Sequence, residues 1–148
     1  MGQERKEAIV PMKTTQGEST AKPVVIVIEP EVLVRMAIAE FLRDCGFKVI
    51  EGIVAEDVRT VIDAGTRLDI VFSEVRLAGG TDGFALAKQL RNTHPEIDVI
   101  LTSGVAGAAE KSTELCAEGP LKKPYKAADV AARINLLLER RRSAAKKL

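Results

Sequence analysis

The apolar positions along this chain switch between two periods. Val24-Val25-Ile26-Val27-Ile28 is an unbroken β-branched run, the pattern of a strand covered on both faces. Val34, Ala37, Ile38, Phe41, Leu42 and Cys45 then recur at i, i+3, i+4, i+7, i+8 and i+11, which predicts one inward helical stripe. Gly46 closes that helix, as glycine does just past a C-terminus. Residues 47–50 read as a second strand. Val54, Val58, Val61 and Ile62 mark a second helix that stops at Gly65. Residues 69–73 form a third strand, with Glu74 opening the loop that follows.

The third helix turns Leu86, Ala87 and Leu90 inward and ends near His94-Pro95, because a residue before proline resists the α conformation. Residues 97–101 are a fourth strand. Residues 106–117 make a weak fourth helix with Leu115 as its only large apolar residue. Leu121-Lys122 is a stub of a fifth strand, and Ala127, Val130, Ala131, Ile134, Leu137 and Leu138 stripe the last helix. Five strands alternating with five helices predict an α/β fold with a doubly wound, five-stranded parallel sheet. The functional crevice of such a sheet lies at the carboxyl ends of its strands. That rule gathers residues 28–31, 73–76, 102–104 and 121–124 around one pocket.

Composition narrows the picture. The 148 residues suit one folded domain, taken as residues 23–140, after a polar tail of residues 1–22 and before a basic extension of residues 141–148. The tail buries too little to offset its ordering entropy and reads as mobile; the alternative is a short docking segment that orders on a partner. Lys and Arg number 22 against 21 Asp and Glu, so no global field draws the chain to nucleic acid or membrane. Aromatics at 3% argue against base-stacking platforms. Cys45 and Cys116 read as buried, reduced thiols, although sequence does not exclude a disulfide. No apolar run reaches the ~20 residues of a membrane span, and no signal-peptide core follows the polar start, so the expected location is the cytoplasm. Arg140, Arg141, Arg142, Lys146 and Lys147 read as a solvated helix end that complements the helix dipole. The alternative is an arm for an acidic partner or nucleic acid.

The chemistry rests on the strand ends. Lys123-Pro124-Tyr125 follows the fifth strand, Arg76 and Gly79-Gly80-Thr81-Asp82-Gly83 follow the third, and Leu33-Val34-Arg35-Met36 fixes the register after the first. With these motifs in order, residues 24–138 resemble a bacterial response-regulator receiver domain of the CheY-like family. The resemblance implies a flavodoxin-like topology and a place in two-component or phosphorelay signalling, with a histidine kinase or a downstream effector as partner. It also implies that an Asp ending the third strand accepts a phosphoryl group, that two acidic residues after the first strand hold Mg²⁺, and that a Lys, a Ser/Thr and an aromatic complete the switch.

This chain departs from that pattern. Glu74 stands at the acceptor position, Glu29 and Pro30 at the acidic pair and Pro120 at the aromatic, while Ser103 and Lys123 match. Proline offers Mg²⁺ no ligand, and Mg²⁺ demands near-octahedral oxygens at ~2.0–2.1 Å, so binding is expected to be weak or absent. A one-residue slip would offer Glu31 instead and restore a phosphorylatable receiver. The longer side chain of Glu74 puts its carboxylate roughly 1.5 Å further out, where ~1 Å can cost ~100-fold in rate. The bland alternative for Glu74 is a solvated loop carboxylate. Strand alternation turns Thr102 away from Ser103, and Tyr125 reads as packing. No nucleophile–base pair argues for a metabolic enzyme, so the expectation is a non-enzymatic, degenerate receiver. Whether it pairs with a second copy stays open.

Overall fold

The computed structural model describes residues 21–103, 121–122 and 125–146. In chain order these form β1 (Val24–Ile28), α1 (Val32–Asp44), β2 (Lys48–Gly52), α2 (Glu56–Asp63), β3 (Ile70–Glu74), α3 (Gly83–Thr93), β4 (Asp98–Ser103), β5 (Leu121–Lys122) and α4 (Ala127–Lys146). The five strands pair in parallel in the order β2-β1-β3-β4-β5. Four helices lie among the described residues. The weak helix expected at 106–117 falls outside them, as do Pro120 and Lys123.

The continuous β-branched run does what it predicts, since every residue of β1 is buried. Alternate side chains feed two cores. Val25, Val27, Phe72 and Ile100 pack against Ile38 and Leu42 of α1 and Val130, Ile134 and Leu137 of α4. Ile26, Ile28 and Val71 pack against Val58 of α2 and Leu86 and Leu90 of α3. Each such fully buried side chain contributes about 1.5–3 kcal/mol of hydrophobic stabilisation. Gly46 and Gly65 close α1 and α2 at φ 101° and 87°, a backbone region that costs other residues.

Three differences from the sequence reading have physical causes. First, α1 buries Ile38, Ala39 and Leu42, while Ala37, Phe41 and Cys45 of the predicted stripe are exposed. The helix rests on β1 and β2 and touches α4 on one side, so it needs only a narrow apolar arc. Second, β3 includes Glu74, because pairing with β4 continues one residue further, Glu74 opposite Thr102. Third, α4 runs unbroken through residue 140 to Lys146. Arg141 Nε donates to Asp98 Oδ2 at 2.6 Å, tying the basic end of the helix to the start of β4. Among the described residues no helix is long and apolar enough to cross a membrane.

Candidate functional site

Strand phase collects the polar groups. Glu29 continues the side of Val25 and Val27, Glu74 that of Phe72, and Thr102 that of Ile100, so all three face the side covered by α1 and α4. All are buried, Glu29 at 3% exposure and Glu74 at 7%. Tyr125, just before α4, caps the group and meets the Phe72 ring edge-on, with centroids 5.9 Å apart.

Glu29 is built into the β1–α1 turn. Its Oε2 accepts from the Glu31 backbone N–H at 3.0 Å, and its carbonyl accepts from Arg35 Nη1 at 2.8 Å. Pro30 is exposed. Glu31 is exposed as well and lines a groove with Leu33, Val34, Ala37, Ile38, Tyr125 and Ala127, outside the buried cluster.

Glu74 is gripped from both sides. Thr102 Oγ1 donates to its Oε1 at 3.2 Å, and the Arg76 backbone N–H makes a long 3.4 Å bond to Oε2. The loop reading, with a solvated carboxylate, is therefore corrected: register with β4 draws Glu74 inside. Its carbonyl accepts from Ser73 Oγ at 2.8 Å. Gly83 holds this strand end in place. Its N–H donates to the Val75 carbonyl at 2.8 Å, and a Cβ there would sit 2.6 Å from the Glu74 carbonyl oxygen. Asp82 caps α3 by accepting from the Ala85 N–H at 2.8 Å. The Asp82-Gly83 pair thus joins a helix cap to a close backbone approach.

The Tyr125 hydroxyl is buried with no hydrogen-bond partner among the described residues. Burial pushes its phenol well above the ordinary tyrosine range, and the charges of Glu29 and then Glu74 push the same way. The nearby Thr102 hydroxyl opposes this slightly, but its one proton is directed at Glu74. Thr102 and Tyr125 join the site in roles that the sequence reading did not assign, a donor to Glu74 and a buried hydroxyl over the cluster. The signal for Thr102 lay in the parallel β3–β4 register, which sets it opposite Glu74. The Ser103 side chain, Lys123 and Pro120 lie outside the described residues.

At the end of β1, Glu29 Oε2 accepts a backbone N–H, Pro30 has no side-chain ligand atom, and Glu31 lines the groove. Among the described residues no three His, Cys, Asp or Glu side chains converge as metal ligands.

The parallel sheet in the order β2-β1-β3-β4-β5 is a fold that known proteins share with this chain. The response regulator receiver domain family matches residues 25–135. The chain belongs to that family. This receiver is 32% identical over 119 residues to the sensor kinase CckA of Brucella abortus (strain 2308), a stretch covering 78% of the chain and 12% of that protein. The chain thus spans only a small part of that relative's length. The crystal structure of a response regulator receiver domain protein from Clostridium thermocellum matches with a TM-score of 0.71 at 21% identity, covering 82% of this chain and 98% of that one. The CheY-like receiver from Methanospirillum hungatei JF-1 matches at 0.75 and 15%, covering 84% and 99%. At such identities the likeness concerns the fold. Family and fold together make the chain a receiver domain of two-component signalling.

Proposed function

We propose that this receiver is not phosphorylated at the usual position and works by binding other proteins of a two-component or phosphorelay pathway in the cytoplasm. Its partner would be a histidine kinase or a downstream effector. The observation that carries this reading is the Glu74 carboxylate, buried and held by Thr102 and the Arg76 N–H. An acceptor must meet a phosphodonor in line, and a carboxylate displaced by one methylene and turned inward is poorly disposed to do so. Pro30 supports the same reading, because transfer needs a cation to offset charge on the moving oxygens.

In this reading the site is locked in one state. Lys123 pairs directly with Glu74 and closes the pocket without a cation. Glu74 mimics a phosphorylated acceptor only in part, having one charge and two oxygens against about −1.5 to −2 and three.

A Mg²⁺ titration followed by calorimetry and amide chemical shifts tests the reading. The expected result is no saturable change at residues 28–31 and 73–76 at millimolar Mg²⁺. Saturable binding there would restore the phosphorylatable alternative through Glu31.

A further inference from the structure

The outer face of α1 is unusually apolar for a surface helix. Leu33 is 73% exposed and Met36 54%, with Val32, Ala37 and Phe41 also exposed. Leu33, Ala37 and Phe41 stand four residues apart and form one row along the helix. The row starts at the groove of about 640 Å³ that Leu33, Ala37 and Tyr125 line, at the carboxyl ends of the strands. It descends to the opposite end, where Ala21 and Lys22 lie beside Arg43 and Phe47. The chain therefore enters the fold at this end of α1, on the flank that Arg43 turns toward β2.

The twenty residues before Ala21 contain one apolar run of any length, Ala8-Ile9-Val10-Pro11-Met12. Eight residues lie between Met12 and Ala21, making nine chain steps, and an extended chain spans up to ~3.3–3.6 Å per residue, or about 30 Å. From Cys45 up to Leu33, α1 rises only about 18 Å. Reach, entry point and composition agree.

We propose that residues 8–12 fold back along α1 and seat their apolar side chains on Leu33, Met36 and Ala37 at the groove. Lys13, one residue nearer the foot, then comes level with the exposed Glu40, which adds charge complementarity. The tail is in this way an intramolecular cover for the apolar face, and a partner that uses that face must displace it. The proposal concerns a surface rather than the pocket, so it stands whether or not Glu74 accepts a phosphoryl group.

The test is paramagnetic relaxation on the full chain. A nitroxide is placed on Val10→Cys in a Cys45→Ser/Cys116→Ser background, and amide signals are compared before and after its reduction. The expected result is that residues 33–37 lose most of their intensity while residues 89–93 of α3 keep theirs. Adding Leu33→Asp and Met36→Asp, both at exposed positions, should return the lost intensity with α3 signals unmoved. Absence of selective loss, or loss that persists in the Asp variant, would overturn the proposal. So would loss of equal size in an equal mixture of spin-labelled and isotope-labelled chains, since the tail would then cover a second copy.

Discussion

Thr102 and Glu74 face each other across β3 and β4, and the Thr102 hydroxyl donates to Glu74 Oε1 at 3.2 Å. The bond joins a fully buried hydroxyl to a buried carboxylate, so its loss removes one donor from a charge inside the protein. Thr102→Val should cost about 1–3 kcal/mol of stability, whereas Thr102→Ser should keep most of it. Urea denaturation of the two variants checks this, and equal losses would remove the bond from the account.

Tyr125 carries its hydroxyl into the same space with no partner among the described residues. Tyr125→Phe should therefore be within about 1 kcal/mol of wild type, or more stable. The sign with pH follows from the raised phenol. The unfolded chain loses its proton near pH ~10 while the folded protein keeps it, so stability is full below that pH and falls as pH rises above it. Denaturation curves between neutral and alkaline pH should show that decline in wild type and lose part of it in Tyr125→Phe.

Gly83 tolerates no side chain where the Glu74 carbonyl approaches. Gly83→Ala must push the β3 end away from α3, and about 1–3 kcal/mol of destabilisation is expected. Amide shifts should move most at residues 73–76. A silent substitution would mean the two backbones separate at no cost.

Arg141 holds the end of α4 through Asp98, with both side chains about one third exposed. Solvent weakens such a pair, so Arg141→Ala should cost less than about 1 kcal/mol overall. Its effect should instead be local, as faster amide exchange over residues 139–146 without change at residues 130–137.

Much of this was legible in the sequence because the signals were local. The run Val24–Ile28 has one reading, a strand with two covered faces, and the cores on either side bear it out. The α1 stripe misled because periodicity identifies a helix but not how wide an arc its neighbours cover, and Phe41 and Ala37 fell outside that arc. Glu74 in the strand and Thr102 beside it depend on the register between β3 and β4, a non-local relation that neither segment states alone. The roles read for Glu29 and Glu74 came from motif order and their common pocket from the strand-end rule, while their burial together beneath Tyr125 came from the pairing.

The most direct measurement is intact mass after incubation with acetyl phosphate and Mg²⁺, for wild type beside a Pro30→Asp/Glu74→Asp variant. The account predicts that only the variant gains the mass of a phosphoryl group, because acceptor geometry and a cation ligand return together. A phosphoryl adduct on wild type, mapped to Glu74, would contradict it.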